Sequence, residues 1–108
     1  MCFTAIHQAV RLVPVELIPL GEGREFEVNG RIVSVFRARN GAVYATQAEC
    51  PHRKGPLADG IMGGSEIVCP FHGRRFDLAT GKAISHDECG LETFPVRVDG
   101  DGVIVVTV

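Results

Sequence analysis

Four side chains in this sequence could bind a transition metal: Cys50 and His52 in Cys50-Pro51-His52, and Cys69 and His72 in Cys69-Pro70-Phe71-His72, with sixteen residues between the two boxes. Thiolate is a soft donor and neutral imidazole a borderline one, and both suit iron or zinc. Zinc sites of this composition commonly take both cysteines from one close pair and both histidines from another. Here each box supplies one of each. A mixed pair suits two bridged irons, each box reaching one iron with its cysteine and the other with its histidine. Zinc remains the competing metal. Without a metal, two Cys/His pairs at ligand spacing in loops rich in glycine and proline would be a coincidence.

The pattern continues around the boxes in Gly55-Pro56-Leu57, Gly73, Phe76-Asp77 and Thr80-Gly81. With these residues the sequence resembles the Rieske family, in which two histidines replace two cysteines on one iron of a [2Fe–2S] cluster. The resemblance implies one such cluster as cofactor, with Cys50, His52, Cys69 and His72 as ligands. It also implies that Gly55, Pro56, Leu57, Phe71, Gly73 and Phe76 line it. With two neutral imidazoles the oxidised site is neutral and the reduced site singly negative, whereas four thiolates would make each state two charges more negative. Histidine ligation therefore raises the potential, into a range of roughly −150 to +300 mV. High-potential members carry a second cysteine in each box, joined as a disulfide, and a serine and a tyrosine that donate to sulfur. The matching positions here are Gly55, Phe71, Arg74 and Phe76, none of which keeps the group. The expected potential is accordingly at the low end, about −150 to 0 mV.

Strands must position these loops. Val15 to Leu20 reads as a first strand, ending at Gly21-Glu22-Gly23, while Met1 to Val13 fits helix or strand equally. Asn29-Gly30 and Asn40-Gly41 are two-residue hairpin signals that divide Arg24–Val28, Arg31–Ala38 and Ala42–Ala48 into a meander. A tight turn at Asn29-Gly30 sets Phe26 opposite Val33 and puts Phe26, Val33 and Val35 on one core face. Glu66–Cys69 reads as a short strand delivering the second box, and Arg75–Leu78 pairs with Lys82–Ile84. Leu91–Val98 and Val103–Val108 close the sheet around Asp99-Gly100-Asp101-Gly102. The expectation is an all-β, antiparallel chain of about nine strands forming one domain over residues 1–108. The resemblance implies a Rieske-type β-sandwich in which residues 49–83 form an inserted cluster-binding subdomain.

Composition narrows the function. With 108 residues, 22% charged and a net charge of −2, the chain has no general attraction for nucleic acid. It has no apolar run of membrane-spanning length, so a cytoplasmic protein without an anchor is expected. Cys2 and Cys89 could form a bridge, but in a reducing cytoplasm they are expected as thiols, and His7 and His86 are expected as surface residues. A Rieske oxygenase would need a second iron held by two histidines and a carboxylate, and only His7 and His86 are left to supply it. There is no nucleophile–base pair and no nicotinamide or flavin motif, so catalysis by the chain alone is not expected.

The chain is thus expected to carry electrons for a redox protein partner, with no nucleic acid or membrane involved. Arg53, Lys54, Arg74 and Arg75 flank the ligands, and Asp87, Glu88, Glu92, Asp99 and Asp101 lie elsewhere. That distribution reads as a basic tip on an acidic body, with the edges of His52 and His72 as the electron exit. The wording Gly55-Pro56-Leu57-Ala58-Asp59-Gly60-Ile61, Arg75-Phe76-Asp77-Leu78-Ala79-Thr80-Gly81 and Thr93-Phe94-Pro95-Val96, with the late Cys89, is most similar to the small subunit of the cytoplasmic NAD(P)H-dependent nitrite reductase. A free Rieske ferredoxin serving a ring-hydroxylating dioxygenase is the alternative, and a zinc-stabilised structural module the third reading.

Overall fold

Hairpin turns organise the chain, and a computed structural model describes residues 8–50, 55–70, 73–84 and 90–108. Ten strands form among them: β1 (Ala9–Pro14), β2 (Glu22–Val28), β3 (Arg31–Arg37), β4 (Val43–Gln47), β5 (Ile61–Gly63), β6 (Glu66–Val68), β7 (Arg75–Asp77), β8 (Thr93–Phe94), β9 (Val96–Val98) and β10 (Val103–Thr107). Asn29 and Gly30 both adopt left-handed angles, φ 52° and 83°. The resulting turn pairs Val28 with Arg31 and Phe26 with Val33, as expected from the sequence.

The second Asn-Gly behaves differently. Arg37 pairs with Val43 and the Ala38 N–H donates to the Ala42 carbonyl, leaving a three-residue turn at Arg39-Asn40-Gly41. Only Gly41 is left-handed (φ 92°), while the Asn40 side chain accepts the Ala42 N–H at 2.9 Å. Asparagine here caps the turn instead of taking a positive φ.

The strands form three antiparallel sheets, ordered β1-β10-β9, β2-β3-β4-β8 and β5-β6-β7. Two sequence expectations are corrected. Val15 to Leu20 is not a strand: Val15–Leu17 is a 3₁₀ turn, with Ile18 buried while Leu17 and Leu20 are exposed. Pro14 and Pro19 lack the N–H groups a strand would need, and pairing with β10 already shifts register between Arg11 and Pro14. The undecided N-terminal stretch supplies β1 instead. Leu91–Val98 is likewise not one strand, because Pro95 divides it. β8 pairs with β4, whereas β9 pairs with β10, so the chain passes from one sheet to another where it has no N–H to donate.

These sheets enclose two cores. Val33 and Val35 of β3 pack with Ile18, Val28, Ile104 and Val106 between the first two sheets. Phe36, on the opposite face of β3, packs with Leu57, Ile67 and Phe76 against the small sheet β5-β6-β7. Successive strand residues point to opposite faces, so β3 belongs to both cores, and Val33 through Phe36 are all buried. Of the expected core face, Val33 and Val35 are fully buried and Phe26 partly so. β5, absent from the sequence reading, pairs with β6 across Gly64-Ser65, where Gly64 takes φ 62°.

Candidate metal centre

The two cysteine loops are closed in the same way. At the first, the Cys50 N–H donates to the Gly55 carbonyl at 2.8 Å; at the second, the Cys69 N–H donates to the Arg74 carbonyl at 2.7 Å. Each cysteine thus opens a loop that closes on the residue five positions later. Their stems differ. The first hangs from β4 through the Glu49–Pro56 bridge and the Leu57 N–H to Ala48 carbonyl bond, whereas the second joins β6 to β7 with Val68 paired to Arg75. After the first loop, Leu57–Asp59 forms a 3₁₀ turn leading to β5.

Both cysteines are 1% exposed and both lie in the core that contains Phe36, Leu57, Ile67 and Phe76. The structure therefore brings Cys50 and Cys69 into one dry compartment, although they are far apart in sequence. A metal cation compensates the charge of thiolates in such surroundings, and loops bearing imidazole alongside thiolate match a mixed N/S iron site. The donor set fits a Rieske cluster. His52 and His72, with Pro51, Arg53, Lys54 and Phe71, lie outside the described residues, as do Cys2, His7, His86, Asp87, Glu88 and Cys89.

Of the expected lining residues, Leu57 and Phe76 are fully buried, and Gly55 is buried at the closure of the first loop. Pro56 is half-buried in the bridge to Glu49. Gly73 lies exposed at the end of the second loop with φ 67°, a conformation that favours glycine. Sequence reasoning missed Phe36, Leu78 and Leu91, all buried in this core. The run Ile32-Val33-Ser34-Val35-Phe36 carried a signal for Phe36, since a strand buried on both faces reads as nearly continuous apolar sequence. Leu91 follows Gly90 without any periodic context.

Residues 90–92 join the surroundings of both loops. The Leu91 N–H donates to the Gly81 carbonyl at 2.6 Å, in the turn that follows β7. The Glu92 N–H donates to Gln47 Oε1 at 2.8 Å, and the Gln47 N–H returns a bond to the Glu92 carbonyl at 2.9 Å. Gln47 Nε2 then donates to the Glu49 carbonyl at 2.7 Å, next to Cys50. Outside them, Arg31 forks onto the Glu92 carboxylate at 2.6 and 3.2 Å and lies 4.9 Å from the Phe94 ring centroid. Its hydrogen bond to Glu92 raises the guanidinium pKa further above its ordinary value.

The expected charge separation is only partly present. Among the acidic residues assigned to the body, Glu92 is bonded to Arg31, while Asp99 and Asp101 are bonded to Arg11 at 2.8 and 2.7 Å. Arg97 also reaches Asp99 at 3.1 Å. Glu92, Asp99 and Asp101 are therefore ion-paired and do not form a bare acidic surface. At the tip, Arg75 is paired with Glu66 at 2.6 Å, and Arg74 is half-exposed.

Comparison with known proteins agrees with this geometry. Residues 8–107 match the model of the Rieske-like [2Fe-2S] domain family. The ferredoxin component of a naphthalene 1,2-dioxygenase system from Pseudomonas aeruginosa is 34% identical over 89 residues, covering 82% of this chain and 85% of the relative. The carbazole 1,9a-dioxygenase ferredoxin of Nocardioides aromaticivorans IC177 superposes with a TM-score of 0.83 at 33% identity, covering 91% of this chain and 95% of that one. A chain described as an NADH-dependent nitrite reductase small subunit from Mycobacterium tuberculosis superposes with a TM-score of 0.88 at 22% identity, covering 95% and 96%, a likeness of fold. Two matched cysteine loops in one dry core, on an antiparallel fold shared with these proteins, lead to one conclusion: the chain belongs to the Rieske-like [2Fe-2S] domain family and is an electron carrier with a single Rieske-type cluster.

Proposed function

We propose that Cys50 and Cys69 hold one iron of the cluster and His52 and His72 the other, and that the chain passes single electrons to a larger redox enzyme. The observation that carries this is the delivery of Cys50 and Cys69, by loops closed with the same backbone bond, into one core where both are 1% exposed. When bound, the cluster supplies a one-electron couple. The protein's own residues do the rest: the two thiolates and two imidazoles bind, Leu57 and Phe76 exclude water, and the loop closures at Gly55 and Arg74 fix the spacing of each box. Phe76 lies at a position where a hydroxyl would donate to sulfur in high-potential relatives, which supports a potential of about −150 to 0 mV.

Similarity of sequence over four-fifths of the chain supports a ferredoxin role, with a terminal oxygenase as the acceptor. A second reading, the small subunit of a nitrite reductase, is supported by the wording at Gly55–Ile61, Arg75–Gly81 and Thr93–Val96. No helix among the described residues is long and apolar enough to cross a membrane, and we place the carrier in the cytoplasm.

Electron paramagnetic resonance on anaerobically purified protein, with iron, zinc and acid-labile sulfide assayed on the same sample, tests the assignment. The oxidised protein should be silent and the dithionite-reduced protein should give a mixed-ligand [2Fe–2S] signal. Colourless protein with one zinc and no sulfide would overturn it. Stopped-flow mixing of the reduced carrier with an oxygenase, and separately with a sirohaem reductase, separates the two partners. In the productive pair, rising ionic strength and the changes Arg53→Glu and Arg74→Glu should each slow transfer if cations guide docking.

A further inference from the structure

Neither ligand loop carries a second cysteine, so no disulfide can join the loop at Cys50–Gly55 to the loop at Cys69–Arg74. Something else must hold them at a fixed separation. Residues 90–92 are bonded on one side to Gln47 at the end of the strand that leads to the first loop, and on the other to the turn beyond the strand that leaves the second. On one side, the Gln47 side chain is a fork: Oε1 accepts the Glu92 N–H and Nε2 donates to the carbonyl of Glu49, the residue before Cys50. On the other side, the Leu91 N–H donates to the Gly81 carbonyl, and the Gly81 N–H donates at 2.7 Å to the carbonyl of Asp77, which ends the strand leaving the second loop. Contact there is backbone on backbone. A Cβ at Gly81 would collide with the Leu91 carbonyl oxygen, and one at Gly90 with the Gly81 carbonyl oxygen. Leu91 itself is 6% exposed, in the same core as Cys50 and Cys69.

We propose that Gly90-Leu91-Glu92 is a tie bar between the two ligand loops, with Gln47 and Leu91 as positioning residues that set how firmly the cluster is held. Gln47 suits the task because one amide both accepts and donates, so it fixes Glu92 and Glu49 relative to each other. The Arg31 fork on Glu92 anchors the bar from outside. This inference rests on the assignment of Cys50, His52, Cys69 and His72 as ligands.

The test uses the loaded protein. Loss of the visible cluster absorbance to bathophenanthroline disulfonate is followed alongside the thermal midpoint, the spread of the reduced resonance signal and hydrogen exchange at the Cys50 and Leu91 amides. Gln47→Ala should release the cluster about 10-fold faster, at the lower end of the roughly 10- to 100-fold loss in metal affinity that follows removal of a group bonded directly to a ligand, and should speed exchange at both amides. Gln47→Glu keeps an acceptor for the Glu92 N–H but loses the donor to Glu49, and should fall between. Val33→Ala, in the other core, is the control: it should lower the midpoint without a matching gain in release. Leu91→Ala should accelerate release and Leu91→Met restore it, a comparison that stands even if Gln47→Ala does not fold. If release follows the midpoint alike in Gln47→Ala, Leu91→Ala and Val33→Ala, the tie bar is overturned while the ligand assignment stands. Wild-type protein that purifies without iron and sulfide overturns the assignment itself.

Discussion

A Cβ built at Gly23 would lie 2.6 Å from Cδ1 and 2.7 Å from Cε1 of Phe36, the residue with which Gly23 pairs across β2 and β3. Ordinary carbon contacts are about 3.5–4.0 Å. The Phe36 ring therefore occupies the space that any side chain at position 23 would need, and it is fully buried, with Cys50 and Cys69 in the same core. Gly23→Ala should force the ring off its rotamer at a cost of about 1–3 kcal/mol. For a domain near this size, about 2 kcal/mol corresponds to a fall of roughly 8–16 °C in the midpoint. Gly23 is not in a left-handed conformation, so alanine brings no backbone penalty and should otherwise gain roughly 0.5–1 kcal/mol in a strand. The smaller Phe36→Leu side chain should relieve the collision. A double-mutant cycle, read as thermal midpoints of the loaded protein at one scan rate, should then show coupling of about 1 kcal/mol or more, with the pair more stable than the sum of the singles predicts. Additive effects would refute the claim that Gly23 is reserved for the Phe36 ring.

Three further outcomes follow from the same contacts. Gly60→Ala would drive a Cβ into the Val68 carbonyl oxygen, one residue before Cys69; backbone cannot yield as a side chain can, so purified protein should show both a lower midpoint and reduced iron content. Phe76→Tyr places a hydroxyl at a fully buried position where relatives of higher potential donate to sulfur; one hydrogen bond favouring the reduced state by about 0.5–1.5 kcal/mol corresponds to roughly 20–60 mV for one electron, so a redox titration should move upward, and an unchanged midpoint would place the hydroxyl elsewhere. The Arg11 hydrogen bond holds the Asp101 carboxyl below its ordinary range. A depressed folded-state value means stabilisation present above the ordinary carboxylate pKa of 3.8 and lost as pH falls through the lowered value; Arg11→Gln should therefore lower the midpoint slightly at neutral pH, leave it unchanged below the lowered value, and so shrink the acid-side fall.

The proposed ligand set was read from the sequence because metal ligation is written in residue type and short spacing, and of its members the structure describes Cys50 and Cys69, both in one core. Two Cys/His boxes, their glycines and their prolines point to a mixed-ligand cluster before any coordinates are known. The Asn29-Gly30 register was legible for a related reason, since a two-residue turn fixes every pair along β2 and β3. Asn40-Gly41 shows the limit: the same dipeptide closed a three-residue turn once Asn40 used its side chain to accept the Ala42 N–H. Pro95 likewise announced an interruption but not its outcome, which depended on two different sheets being available to receive β8 and β9.

The sequence by itself determined the β-rich class and the first hairpin and offered the donor set proposed above, because these follow from side-chain chemistry and from bonds between near neighbours. The tertiary structure alone decided that β3 serves two cores, that the acids at positions 92, 99 and 101 are already met by arginines, and that residues 90–92 bond to Gln47 before the first cysteine loop and to the Gly81 turn after the second. Each of these depends on contacts between segments distant along the chain. A backbone carbonyl or a glycine's missing Cβ has no mark of its own in the sequence, and it acquires a partner only when the sheets are packed.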